Sequence, residues 1–215
     1  MTVIQGTSAE DRAESRAVLN GFPDQRLFTA EEYQHLADIG VLNEDERIEL
    51  IEGRIVQMPP KSVKHALATT RANRCFGRLL GDRAAIRIQD PILLNGFSEP
   101  EPDLALVAPQ EELYLEHHPT PQDIFLVLEI AESSLGYDRG VKCQLFAQNG
   151  IVQFCLLNLQ DRELEDYREP SPHGYRKKQT YSEEESFNLV AFPKTTFKVK
   201  DLLPPVKATV KRRKK

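Results

Sequence analysis

Along this chain the spacing of apolar residues changes from stretch to stretch, which predicts helices interleaved with strands. A first helix is predicted over 30–39, where Thr29 and Glu32 fit a capping box. Apolar residues with a period near 3.6 predict a long amphipathic helix over 63–80. A third helix is predicted over 138–148, with its first residue as the N-cap. Three helices separated by other elements are therefore expected.

Strand-like runs separate the predicted helices. Two β-rich runs within 47–58 flank Glu52 and Gly53, which predicts a hairpin in which glycine supplies a positive φ. Residues 86–94 are predicted to be extended, with a proline interrupting them. One further run is almost wholly apolar, as in a strand covered on both faces, and it predicts the centre of a sheet in an α/β (α+β) fold. That central run is 124–130, and the other strands are predicted at 103–108, 151–159, 162–168 and 175–181.

Length and composition fit one globular domain with two polar ends. The chain has 215 residues, of which 40% are hydrophobic and 28% charged, enough to bury a core. Residues 1–26 are polar and lack periodicity, which predicts a flexible N-terminal arm. A single domain is predicted over 27–205, followed by a disordered basic tail over 206–215.

Charge is distributed unevenly between the body of the chain and its end. The net charge is −5, but the last nine residues hold six of the 28 Lys and Arg and no acid. The remainder carries 22 basic and 33 acidic residues, a net charge of −11. A body this acidic disfavours broad nucleic-acid binding driven by charge. The tail is either a segment that holds phosphate or a solvated, disordered end.

Several features point to the cytoplasm as the compartment. No stretch is apolar for long enough to span a bilayer, and the N-terminus lacks the basic and apolar regions of a secretory signal, so no membrane partner is expected. The three cysteines, Cys75, Cys143 and Cys155, are widely spaced and form no Cys-x-x-Cys pair. They are predicted to be reduced residues of the core or of helices.

Glu129 is the most informative single residue, because an ionised carboxylate near the end of an apolar strand needs compensation. If the strands over 103–108 and 124–130 pair antiparallel, Asp103 and Glu129 meet at the same strand end. Two carboxylates there would suit magnesium or manganese. The alternative is structural: Asp103 simply begins a strand and Glu129 pairs with an arginine.

Lys142 is predicted to point toward these acids. Leu145 and Phe146 lie on either side of it one helical turn away and define a buried face. A buried ammonium needs a carboxylate or phosphate partner, and Asp103 and Glu129 are the nearest candidates in chain order. Alternatively, the lysine stem covers apolar surface while its amine reaches water.

Several blocks of the sequence resemble the Uma-two family, a large bacterial group of restriction endonuclease-like proteins. The resemblance spans roughly 28–203 and implies the PD-(D/E)XK nuclease fold, a mixed central sheet flanked by helices, here with an additional N-terminal hairpin. Matching blocks in the same order are more specific than any single motif. The blocks are Glu49–Gly53, His65, Gln89–Ile92, Glu99–Asp103, His118–Pro121, Leu128–Ser134 and Tyr137–Lys142.

The resemblance also implies roles for particular residues. Asp103 matches the PD element and Glu129 the acid of the next strand, while Ala131 stands where many such nucleases have a lysine. The resemblance then implies that Lys142, on the following helix, takes the place of that lysine. Glu49 is implied as a further acid, with a hairpin surface role as its alternative. His65 lies on the apolar face of its helix, where it reaches the site or is a satisfied core residue.

The implied activity is metal-dependent cleavage of phosphodiester bonds in DNA, double-stranded DNA in particular, with Mg or Mn as cofactor. A homodimer is compatible with cutting two strands. Basic residues on the long helix either hold the phosphate backbone or form a solvated face; they are Arg71, Arg74 and Arg78. The alternative function is a weak or inactive nuclease-fold module for nucleic-acid or protein binding. It is favoured by the acidic body and by two departures from the pattern that the resemblance implies. Gln153 and Cys155 stand where members of that family have Glu and Trp.

Overall fold

The computed structural model describes residues 25–43 and 45–206. The predicted flexible arm over 1–26 and the basic tail over 206–215 lie outside these residues, apart from positions 25, 26 and 206. Their state therefore stays a prediction, as does the interpretation of the tail as a phosphate-binding or solvated segment.

Side-chain caps begin the first two helices where the sequence predicts them. Helix α1 (Ala30–Asp38) has the complete capping box: the Thr29 hydroxyl accepts from the Glu32 N–H, and the Glu32 carboxylate accepts from the Thr29 N–H. Helix α2 (Val63–Leu80) begins after Ser62, whose hydroxyl accepts a hydrogen bond from the His65 N–H. Capping therefore fixes where both helices begin.

A β-hairpin lies between these two helices. Strands β1 (Ile48–Ile51) and β2 (Arg54–Gln57) pair antiparallel around Glu52 and Gly53. The φ angles of these two residues are 48° and 74°, the left-handed values that a two-residue hairpin turn requires. A Cβ at Gly53 would also lie only 2.5 Å from the Leu27 Cβ, so glycine is needed for space as well as for conformation.

A six-stranded mixed sheet forms the centre of the fold. Its strand order is β3-β4-β5-β6-β7-β8, and every neighbouring pair is antiparallel except β5 and β6, which run parallel. The predicted apolar run becomes an internal strand of this sheet. The strands are β3 (Ala85–Arg87), β4 (Leu104–Val107), β5 (Ile124–Ala131), β6 (Gln153–Asn158), β7 (Glu163–Ser171) and β8 (Gly174–Ser182).

Helices cover both faces of the sheet. Helix α3 combines the α-helical Leu135–Tyr137, the π-helical Asp138–Lys142 and the α-helical Cys143–Gln148. From β5, Leu128 packs in the core on the side of α2 with Phe76, and Val127 packs in the core on the side of α3 with Phe146. The strand is covered on both faces, as its unbroken apolar pattern predicts.

Short elements complete the chain. Strands β9 (Ser186–Asn188) and β10 (Thr196–Lys198) pair antiparallel, and helix α4 (Val199–Leu202) follows them. Phe197, Leu202 and Leu203 are buried in the core on the side of α2. Two 3₁₀ turns, Gly81–Arg83 and Glu111–Leu115, lie in the connections. Within the described stretches, no helix combines the length and apolarity needed to cross a bilayer.

The predicted extended segment over 86–94 is broken at Gln89, and its strand is limited to Ala85–Arg87. Gln89 has a φ of 55°, which turns the chain out of the sheet. This turn is held by hydrogen bonds, since the Gln89 N–H donates to the Pro102 carbonyl at 3.2 Å. The same turn directs the Gln89 side chain toward Asp103 rather than along a strand.

Gln153 and Cys155 form part of a closed polar network on the sheet. The Gln153 amide donates to Asp166 Oδ1 at 2.8 Å, and its carbonyl oxygen accepts from the Val190 N–H at 2.8 Å. Arg168 lies 2.7 Å from the other oxygen of Asp166, and Cys155 Sγ lies 3.7 Å from Oδ1. A glutamate at 153 would bring a second carboxylate against Asp166, so glutamine suits this particular network.

Candidate active site

Strand register brings Asp103 and Glu129 together. Strands β4 and β5 pair antiparallel with Leu104 opposite Leu128, so the residue before β4 lies beside Glu129, as the sequence predicts for antiparallel pairing. The Asp103 N–H donates to Glu129 Oε2 at 3.3 Å, and the Ile130 N–H donates to Asp103 Oδ2 at 2.9 Å. Both carboxylates are buried. Backbone hydrogen bonds therefore hold them in one place.

Lys142 points into the same place from helix α3. Its Nζ lies 2.8 Å from Glu129 Oε1 and 3.0 Å from Glu49 Oε2, and the residue is only 3% exposed. Leu145 and Phe146 are buried beside it, as the helical spacing predicts. The alternative in which this amine reaches water is wrong.

The carboxylates around Lys142 determine its charge state. Burial alone would lower the pKa of Lys142, but the nearby carboxylates of Glu129 and Glu49 outweigh burial and raise it. Glu49 comes from the buried face of β1 and is 4% exposed, so its alternative as a hairpin surface residue is wrong. The amine is thus a fixed positive charge between two buried acids.

His65 and Gln89 hold the other side of Asp103. His65 Nε2 lies 2.7 Å from Asp103 Oδ1, and the Gln89 amide donates to the same oxygen at 3.2 Å. Burial alone would raise the pKa of Asp103, but the hydrogen bond and charge of His65 outweigh it and lower the pKa. The structure therefore brings together six residues that the sequence singles out: Glu49, His65, Gln89, Asp103, Glu129 and Lys142.

Asp138 is a further member of this cluster, although the sequence predicts it to be the N-cap of the third helix. The third helix begins at Leu135 rather than at Asp138, so the prediction of Asp138 as an N-cap is wrong. Asp138 is instead buried inside the helix, where its Oδ2 accepts from the Ser134 hydroxyl at 2.6 Å. Its spacing of four from Lys142 was the signal that could have placed it on the same helix face.

The three arginines of α2 lie away from these acids. An Arg71 N–H donates to the Lys200 carbonyl at 3.0 Å, and Arg78 lies 3.9 Å from Asp201 Oδ2. Both therefore face helix α4, while Arg74 is exposed. None of the three lines the cleft that contains Asp103.

This cleft has a volume of about 230 Å³ and a strongly acidic lining. The hairpin and the following proline-containing segment form one wall, and the end of β5 with the start of α3 forms the other. Carboxylates outnumber the Lys and Arg side chains two to one. The carboxylates are those of Glu49, Glu101, Asp103, Glu129, Glu132 and Asp138, and the cations are Arg47, Lys61 and Lys142.

The chemistry of the cleft fits a divalent cation. Burial raises the pKa of Glu49, and raises that of Glu129 well above its usual range, because Lys142 offsets only part of the cost of removing these carboxylates from water. Burial likewise raises the pKa of Glu101 and Asp138. The surplus of buried, hard oxygen ligands is the environment that magnesium and manganese prefer.

The side chains alone do not complete a coordination shell. Among the residues that the structure describes, no group of three or more His, Cys, Asp or Glu side chains is arranged to hold a metal ion. An ion at Asp103 and Glu129 would therefore need further oxygen ligands from water or substrate, and magnesium usually keeps several waters.

Comparison with known proteins agrees with this architecture. A family model named Uma2 and described as "Putative restriction endonuclease" matches residues 30–200. Among solved structures, the crystal structure of a putative nuclease belonging to DUF820 from Anabaena variabilis is similar, with a TM-score of 0.63 and 15% identity over 81% of this chain and 97% of that chain. No protein with a curated function matches the chain significantly.

The mixed sheet with its flanking helices has the restriction endonuclease-like fold, which confirms the fold prediction. Because the family model matches most of its length, the chain belongs to the Uma2 family of restriction endonuclease-like proteins. Family membership supports a nuclease, that is, a hydrolase acting on nucleic acid.

Proposed function

We propose that this chain is an endonuclease that depends on a divalent metal and hydrolyses phosphodiester bonds in DNA, double-stranded DNA in particular. The observation that carries the proposal is the convergence of Asp103, Glu129 and Lys142 at the end of β5 in one acidic cleft. Two acids and one amine are the groups that such hydrolysis uses to hold a cation and to stabilise charge on the phosphate.

Asp103 and Glu129 would hold the cation, magnesium or manganese. When bound, the ion supplies electrophilic stabilisation of the charge that develops on the phosphate. Backbone hydrogen bonds already orient both carboxylates, so little reorganisation is needed to bind it. His65, bonded to Asp103 Oδ1, acts as a positioning residue for that carboxylate.

Lys142 supplies the positive charge that belongs to the protein itself. Its ammonium is fixed by Glu49 and Glu129, and its raised pKa keeps it protonated at neutral pH. In the proposed reaction it orients the attacking water and stabilises the pentavalent transition state by donating hydrogen bonds. Glu49 holds the amine in position for this role.

The alternative of an inactive module draws on the acidic body and on Gln153 and Cys155, and neither of these two residues lines the cleft. Both contact Asp166 instead, so these substitutions remove no group from the proposed reaction centre. The proposed location is the cytoplasm, where thiols stay reduced; all three cysteines are buried and unpaired. A homodimer acting on the two strands of a duplex is part of the same proposal.

A cleavage assay tests this function. Plasmid DNA, linear duplex, single-stranded DNA and RNA are incubated with the protein and magnesium or manganese, and in parallel with EDTA. We expect cleavage of plasmid and internal cleavage of linear duplex with either metal, and none with EDTA. Cleavage that persists in EDTA would refute the metal dependence, and cleavage of RNA alone would refute DNA as the substrate. Failure to cleave any of these substrates would refute the proposed enzymatic function.

A further inference from the structure

Two cations on one wall of the cleft take no part in the proposed reaction centre. Lys61 lies between Pro60 and Ser62, the N-cap of α2, and Arg47 lies just before β1. Both line the same cleft as Asp103. Arg47 also donates a hydrogen bond to the Pro59 carbonyl, which ties the start of the hairpin to the segment that carries Lys61. The two cations therefore belong to one connected wall.

Lys61 differs from Lys142 in being free to bind a ligand. Lys142 is enclosed by two carboxylates, whereas Lys61, among the residues that the structure describes, has no carboxylate within 4.0 Å of its amine. Burial and the neighbouring Arg47 lower the pKa of Lys61, while the carboxylate of Asp103 acts in the opposite direction. Lys61 is thus an exposed residue whose partly desolvated amine has no carboxylate partner in the described part of the chain, yet lies within electrostatic reach of the reaction centre.

The negative charge of the cleft means that a nucleic acid needs cations on this wall in order to bind. A nucleic-acid backbone brings negative phosphates to a cleft whose charged lining residues are already mostly carboxylates. The charge of Lys142 is largely taken up by Glu129 and Glu49, so it offers little long-range attraction. Cations that form no ion pair within the described residues, placed beside the acids, offset this repulsion and gain affinity by releasing counterions from the backbone.

We propose that Lys61, with the remaining N–H groups of Arg47, binds a backbone phosphate of the nucleic acid beside the reaction centre. This proposal rests on the proposed function and adds a positioning role to it. The phosphate bound there fixes the register of the strand in the cleft, so that a neighbouring phosphodiester bond reaches Asp103 and Glu129. The interaction is with the backbone and carries no base specificity.

Substitution of Lys61 tests this role, with Lys64 as a matched control. Lys64 is one turn away but pairs with Glu132 at 3.0 Å and does not line the cleft. For Lys61→Ala we expect the KM for DNA to rise about tenfold, with a smaller change in kcat, and the slope of log KM against log salt concentration to fall by about one. Lys61→Arg should restore most of the affinity, and Lys64→Ala should resemble the native protein.

Binding of a fluorescent duplex oligonucleotide in calcium, measured by anisotropy, separates the two proposals. If the native protein cleaves DNA but Lys61→Ala keeps the native KM, binding and salt slope, the phosphate-binding role is refuted and the function stands. If the native protein binds DNA through Lys61 but does not cleave it, the role stands and the enzymatic function is refuted. If it neither binds nor cleaves DNA, both proposals are refuted.

Discussion

Replacing Asp103 with asparagine is expected to lower the rate of metal-dependent DNA cleavage by about a thousandfold or more. Asparagine keeps an oxygen that can accept from the Ile130 N–H, so the strand end stays in place. It removes the negative charge that would hold the cation. Losing several kcal/mol of metal-derived stabilisation corresponds to about three powers of ten in rate, since each 1.36 kcal/mol is tenfold.

Single-turnover cleavage of a labelled duplex, at several manganese concentrations, measures this effect. Asp82→Asn is the matched control, because Asp82 is an exposed acid on a 3₁₀ turn and does not line the cleft. Circular dichroism and a urea titration show whether each variant is folded. Undiminished cleavage by folded Asp103→Asn would mean that the reaction centre lies elsewhere.

Replacing Lys142 with alanine is expected to reduce the free energy of unfolding by about 3–5 kcal/mol, the range for breaking a buried ion pair by removing one partner. The change leaves the carboxylates of Glu49 and Glu129 buried without their shared cation. Burial already raises the pKa of both acids in the presence of Lys142, so the loss leaves them still less compensated. The same variant should also lose cleavage activity.

Urea denaturation at neutral pH measures the stability change. Lys177→Ala is the control, since Lys177 on the edge strand β8 pairs with Glu169 of β7 and both side chains are exposed, where ion pairs contribute little. Adding Glu49→Gln to Lys142→Ala should recover part of the loss, because one uncompensated charge is removed. A loss below about 1 kcal/mol, as for a surface pair, would show that the amine does not hold the two acids together.

The parts of the site that follow regular periodicity could be predicted from the sequence. Once the runs over 103–108 and 124–130 are assumed to pair antiparallel, the register places Asp103 beside Glu129. The apolar residues around Lys142 likewise predict its inward direction, since side chains one turn apart share a helix face. In both cases regular strand or helix geometry determines where the functional group points.

The parts that depend on tertiary contacts were beyond prediction. Asp138 has the composition of an N-cap, but the preceding residues continue the helix and a π-helical segment carries Asp138 into the cleft. Gln89 adopts a left-handed conformation because its backbone and side chain bond to the segment at Pro102 and Asp103. The turn at Gln89 leaves no periodic signal in the sequence, and the spacing of four between Asp138 and Lys142 becomes informative only once the helix is known to begin before Asp138.

Lys61 illustrates a different limit. In the sequence it is one lysine among many, between a proline pair and a helix cap. Only the folded hairpin, packed opposite the end of β5, shows that it faces the same cleft as the acids. Its importance comes from what surrounds it in space, which a single sequence does not encode in any local pattern.

The most direct test of a cation site at Asp103 and Glu129 is anomalous diffraction from crystals of the protein soaked in manganese. The account predicts an anomalous peak in contact with both carboxylates in the native protein and its loss in Asp103→Asn. A cleft without a peak at saturating manganese, or a peak that Asp103→Asn leaves unchanged, would contradict it.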